Sequence, residues 1–131
     1  MTRLLIVAAG GALGAVARYG VGAWAIRLFP AAVWPWGTLA VNVVGGLLMG
    51  VLAGWLAFRG GAHGESIRLF AAVGVLGGFT TFSAFSLETA LMIERRQLAM
   101  AGGYVAASVA LSVLALFIGL MLARRAFGAP L

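Results

Sequence analysis

Four long apolar runs, at residues 4–28, 36–58, 68–93 and 98–123, are separated only by short breaks and take up almost the whole chain. Each approaches or exceeds the ~20 residues that a helix needs to cross a ~30 Å hydrocarbon core. The pattern predicts an all-α membrane protein with four transmembrane helices, forming a single domain over 1–131. Met1-Thr2-Arg3 followed by Leu-Leu-Ile-Val-Ala-Ala-Gly looks like the start of a signal peptide. The apolar character continues past any cleavage site, so the segment reads as the first span. The breaks at 29–35, 59–67 and 94–97 are too short for a lid or an extramembrane domain and make consecutive helices antiparallel.

Composition sharpens this picture. Hydrophobic residues make up 63% of the chain and charged residues 9%, with a mean hydropathy of +1.10, against about 25% charged in a soluble domain. No soluble catalytic domain is hidden in such a chain. The formal net charge of +6 raises the question of a nucleic-acid partner. Its distribution answers no, because Arg59, Arg68, Arg95, Arg96, Arg124 and Arg125 sit at the ends of apolar runs, where they meet lipid headgroups. Trp24, Trp34, Trp36 and Trp55 lie near helix ends as interfacial anchors. Cysteine is absent, which excludes disulfides and thiolate chemistry.

With four spans, the N-terminus, the 59–67 connection and the C-terminus share one side. That side carries Arg3, Arg59, Arg68, Arg124 and Arg125, and the other carries Arg27, Arg95 and Arg96. The difference is slight under the rule that cytoplasmic loops collect basic residues, so either orientation is compatible with insertion. Four short spans also enclose too little space for a pore alone, which predicts an antiparallel dimer. Gly10 and Gly14, Gly46 and Gly50, Gly50 and Gly54, and Gly74 and Gly78 have the small-xxx-small spacing that lets helices approach closely.

Polar residues inside the spans carry the candidate chemistry. Thr38 and Asn42 lie one turn apart on the second span, and Tyr104, Ser108 and Ser112 repeat at i, i+4, i+8 on the fourth. One such hydroxyl is ordinary helix glue. The aligned set, with the hydroxyls of the third span, suggests a polar track suited to an anion, since it offers donors and no paired carboxylates. Arg18, near the middle of the first span, either raises the local potential or caps carbonyls of a neighbouring helix.

Residues 74–88 concentrate the unusual features: a double glycine, hydroxyls, three phenylalanines and a carboxylate in an apolar span. Phe79, Phe82 and Phe85 share a helical face. Phe79 reads as packing, whereas Phe82 and Phe85 interleave with Thr81, Ser83 and Ser86 and can turn positive ring edges toward an anion. Gly77-Gly78 before Thr80-Thr81 predicts a helix broken in mid-membrane. Its freed carbonyls then need a cation, water or a neighbouring helix. Glu88 is a proton relay, a partner for an arginine, or an interfacial residue.

Three stretches, Gly10-Gly11-Ala-Leu-Gly14-Ala15-Val-Ala-Arg18-Tyr19, Gly37-Thr38-Leu39-Ala-Val41-Asn42-Val-Val-Gly45 and Gly77-Gly78-Phe-Thr80-Thr81-Phe82-Ser83-Ala84-Phe85, resemble the signature segments of the CrcB/Fluc fluoride channels. The resemblance covers all four spans in order. It implies a dual-topology antiparallel homodimer in the cell inner (plasma) membrane that exports fluoride passively and confers fluoride resistance. By position it implies that Asn42, Phe82 and Phe85 contact fluoride, with Tyr104, Ser108 and Ser112 as the polar track. It also implies that the Gly77 and Thr80 carbonyls of both subunits hold a structural sodium ion at the dimer interface. Ala84 stands where the family usually has threonine, which removes one hydroxyll from this neighbourhood.

The main rival is a small multidrug-type four-helix exporter, which needs a carboxylate in its first span; this first span has none. A membrane assembly subunit would account for the glycine pairs and leave the polar stripes unexplained. An enzyme is disfavoured, since His63, the single histidine, lies in a glycine-rich connection without partners.

Overall fold

The structure is a computed structural model that describes residues 1–128, so the last three residues of the expected domain lie outside it. Its helices are α1 (Thr2–Leu28), α2 (Trp36–Arg59), α3 (Gly64–Ile67), α4 (Gly77–Phe79), α5 (Phe82–Glu94) and α6 (Leu98–Phe127). A 3₁₀ turn, Gly61–His63, precedes α3, and a π-helical stretch, Arg68–Leu76, joins α3 to α4. Four segments, Thr2–Leu28, Trp36–Arg59, Gly61–Glu94 and Leu98–Phe127, are long and apolar enough to cross a membrane. The four expected spans are therefore present.

Two boundaries differ from expectation. The third span begins at Gly61 rather than at Arg68, because only Gly61 of the glycine-rich connection takes a left-handed backbone, with φ of 53°. The rest winds into helix, helped by the Glu65–Arg68 ion pair at 3.0 Å on adjacent turns. The fourth span runs past Ala123 to Phe127, since Arg124 and Arg125 suit the negative end of a helix and can reach headgroups.

The expected break is also displaced. Gly77 is helical, with φ of −62° and ψ of −37°, and Gly78 lies within α4. The chain becomes extended at Thr80 (ψ 159°) and Thr81 (ψ 118°) before α5 begins. β-Branched threonines tolerate extended backbone better than they tolerate helix. The double glycine has a packing role instead: a β-carbon on Gly78 would come within 2.6 Å of the Gly11 carbonyl oxygen.

Close helix contacts account for most of the small-residue pattern. α2 packs most extensively on α6, and α1 packs next most extensively on the π stretch. A β-carbon on Gly50 would strike the Leu116 carbonyl, and one on Gly119 the Leu47 carbonyl. On the other side, Gly10 and Gly14 abut the carbonyls of Phe70 and Val75. Those carbonyls are separated by one π turn, whereas the glycines are separated by one α turn, so the wider winding brings both contacts into register. All four glycine pairs thus make contacts within the chain itself.

Among the described residues, the core where α2, α5 and α6 meet is built on Leu39, Met92, Ala101 and Tyr104, with Trp34 and Phe85 packed against it. Gly50→Ala is expected to destabilise the protein by about 1–3 kcal/mol through overpacking. Gly102→Ala, whose β-carbon meets nothing within 4 Å, should be neutral or stabilising by up to about 1 kcal/mol. Thermal midpoints of both variants in detergent check this, and equal midpoints would show that α2 and α6 are not in closest contact at Gly50.

Candidate functional site

The extended residues Thr80 and Thr81 leave backbone groups without helical partners in the middle of a span, where no water competes to satisfy them. Asn42 on α2 takes up those of Thr81. Its Oδ1 accepts from the Thr81 N–H at 2.8 Å, and its Nδ2 donates to the Thr81 carbonyl at 3.0 Å. The amide therefore pairs with Thr81 as an adjacent strand would. In an unbroken helix the Thr81 N–H would reach back to the Gly77 carbonyl; committed to Asn42, it leaves that oxygen free.

Thr81 then starts α5. Its hydroxyl accepts from the Ala84 N–H at 3.1 Å, an N-cap, and lies 3.3 Å from the Ser83 hydroxyl. α5 thus presents its positive N-terminal end inside the membrane. Thr80 doubles its hold on the preceding turn, its N–H and hydroxyl both donating to the Leu76 carbonyl at 3.0 Å. Arg18 Nη1 donates to the Thr80 carbonyl at 3.5 Å, so the capping reading of Arg18 describes its position.

Beside this break lies a cavity of about 430 Å³, lined by Asn42, Thr80, Thr81, Phe82, Phe85, Ser108 and Ser112 together with Gly45, Gly46 and aliphatic side chains. No ionisable side chain lines it. Ser108 is 6% exposed, and the hydroxyls of Ser108 and Ser112 are buried without a hydrogen-bond partner among the described residues. Serines in helices ordinarily bond back to the i−4 carbonyl; these two do not, and both residues line the cavity. Phe82 and Phe85 stand with centroids 5.5 Å apart, and Phe82 is 78% exposed on the outer surface of the chain. Phe79 does not line the cavity and packs near Gly45.

Tyr104 is fully buried and lines neither cavity. It stacks on Phe85 at 5.3 Å and meets Trp34 edge-on at 6.0 Å. Its hydroxyl donates to Glu88 Oε2 at 2.7 Å, while the Thr38 hydroxyl donates to Oε1 at 2.6 Å. Tyr104 therefore walls the first cavity from a second, of about 460 Å³, into which Thr38 and Glu88 project. The expected track is divided, with Asn42, Phe82, Phe85, Ser108 and Ser112 together and Thr38 beyond the wall. Ser83 is exposed and lines neither cavity, and Arg18 is held at the break.

Sequence reasoning did not anticipate that Glu88 bridges three helices, nor that Thr81 carries both clamp and cap. The signal for Glu88 was its isolation as an acid in an apolar span. Its partners are far away in sequence and gave none.

Residues 5–120 match the family described as CrcB-like protein, Camphor Resistance (CrcB). The chain belongs to the CrcB family. A CrcB relative from Caulobacter sp. (strain K31) is 66% identical over 127 residues, covering 97% of this chain and 98% of the relative. One from Phenylobacterium zucineum is 62% identical over 128 residues, covering 97% and 99%. One from Agrobacterium fabrum is 49% identical over 127 residues, covering 97% and 100%. Each of these relatives bears the name Fluoride-specific ion channel FluC.

Within this CrcB chain the clamp makes a separable prediction. Asn42→Ala removes two hydrogen bonds and strands the Thr81 N–H and carbonyl, at a cost of about 2–4 kcal/mol. Hydrogen exchange of the Thr81 amide should accelerate, while amides in the middle of α6 keep their protection. An unchanged Thr81 amide would mean that the break is held by something else.

Proposed function

We propose that this protein is a passive, fluoride-selective channel. The observation that carries the reading is the pair of buried serine hydroxyls, Ser108 and Ser112, set in the wall of a cavity without ionisable side chains. The names of its relatives point the same way. Fluoride holds water tightly, so each water lost needs a donor at hydrogen-bond distance. Ser108 and Ser112 supply hydroxyls, and Asn42 retains the second N–H of its amide after clamping Thr81. The ring edges of Phe82 and Phe85 carry partial positive charge, and the N-terminal end of α5 adds its dipole. A cation finds no compensating anion along this lining, which sets the sign of the transported ion.

Phe82, half of the aromatic pair, faces outward from one chain, so a second copy is needed to enclose it. The small difference in arginine between the two sides suits an antiparallel, dual-topology homodimer in the inner membrane. The Gly77 carbonyl, free of the Thr81 donor, and the Thr80 carbonyl fit a sodium ion as neutral hard oxygen ligands. Arg18 uses one of the two lone-pair sites on the Thr80 oxygen and leaves the other. Two such carbonyls from each copy would hold the ion, which when bound would neutralise oxygen dipoles at the junction of the two breaks. A multidrug-type exporter is disfavoured, since Glu88 lies on the third span and both its oxygens accept hydroxyl donors.

Liposomes holding the purified protein are expected to release fluoride much faster than chloride without a proton gradient. Phe82→Leu should slow fluoride release by up to about tenfold, the worth of a lost ring-edge interaction. Phe79→Leu should stay within about twofold of wild type, since its ring only packs. Equal fluoride and chloride release would overturn the channel reading; normal flux in Phe82→Leu with loss in Phe79→Leu would reverse the assigned pore face. For the dimer, cysteines at Arg96 of one copy and Arg59 of the other should crosslink, whereas crosslinks between like positions alone would mean parallel subunits.

A further inference from the structure

The second cavity, of about 460 Å³, opens between the 29–35 connection and the turn after α5, and it reaches inward to Thr38 and Glu88. Two ionisable side chains line it. Glu88 is committed to the hydroxyls of Thr38 and Tyr104. Arg95 is exposed and makes no side-chain hydrogen bond or ion pair among the described residues. Arg96, next in the chain, does not line the cavity. Sequence position alone makes the two arginines equivalent headgroup anchors, and the fold separates them.

The turn that separates them is strained. Arg95, Arg96 and Gln97 donate their N–H groups to the carbonyls of Leu91, Ile93 and Met92, closing the end of α5 abruptly. The closure needs a left-handed residue, and Arg96 fills that place with φ of 59°, where glycine or asparagine is favoured. A cation at the end of α5 is explained by the helix dipole. The dipole does not explain why Arg95 lines, unpaired, a cavity whose other ionisable residue is a carboxylate that repels anions.

We infer that Arg95 collects fluoride at the mouth of the pathway, offsetting the repulsion of Glu88 and raising the local anion concentration before the Tyr104 wall. The inference rests on the channel reading. Its signature is electrostatic steering, which depends on ionic strength, unlike a structural contribution to the turn.

The test measures initial fluoride entry into vesicles containing wild type, Arg95→Gln or Arg95→Lys, with ionic strength set by a salt of a bulky impermeant anion. The Debye length is about 30 Å at ~10 mM and about 3 Å at ~1 M. At the low setting Arg95→Gln is expected to be about threefold slower than wild type, the effect of one charge a few ångströms from the ion in water. At the high setting the two should match, and Arg95→Lys should match wild type at both. The inference is overturned if Arg95→Gln equals wild type at low ionic strength. It is equally overturned if the deficit persists at high ionic strength or lysine fails to restore the rate, since either marks a structural role. Wild-type vesicles that take up no fluoride at either setting would overturn the channel reading itself, and this inference with it.

Discussion

A single side-chain amide holds the middle of this protein together. Breaking a helix inside hydrocarbon strands polar backbone, and the penalty of several kcal/mol per unsatisfied group would ordinarily forbid it. Asn42 meets both groups of Thr81 at 2.8 and 3.0 Å. With that pairing in place, Thr81 can cap α5, the positive end of α5 can lie in mid-membrane, and the Gly77 carbonyl can stand free. The polar groups that the third span brings to the cavity are consequences of the break, and the break depends on the clamp.

The clamp works only because the surrounding helices are brought near enough. Glycines at the α2 and α6 contact remove every β-carbon that would push the pair apart, and the Gly10 and Gly14 face of α1 does the same for the π stretch. In a bilayer, where lipid is as apolar as leucine, such close approach is the main source of packing energy. The same closeness aims Asn42 across α2 at Thr81.

The spans and their order were legible in the sequence because hydropathy reports the surrounding solvent directly. So was the gathering of Asn42, Ser108 and Ser112, since polar residues at helical spacing in an apolar run have few stable places to point. The site of the break was less legible. Glycine serves both backbone freedom and close packing, and the letters Gly77-Gly78 do not say which; here packing claims them and the threonines carry the extended backbone. Tyr104 shares the periodic stripe of Ser108 and Ser112, yet Glu88 draws its hydroxyl away into a wall between cavities. That contact, like the one between Thr38 and Glu88, joins residues whose proximity exists only once the helices have packed. Arg95 and Arg96 differ solely through a backbone angle, which composition does not encode.

Because the α2 and α6 backbones touch through glycines, neither helix can shift without a carbonyl meeting a backbone atom. The movable parts next to the cavity are side chains, among them the hydroxyl rotors of Ser108 and Ser112. Side-chain rotations take picoseconds to nanoseconds, whereas sliding of packed helices takes microseconds to milliseconds. A wall built in this way can re-aim its dipoles within nanoseconds while the backbones behind it stay in place.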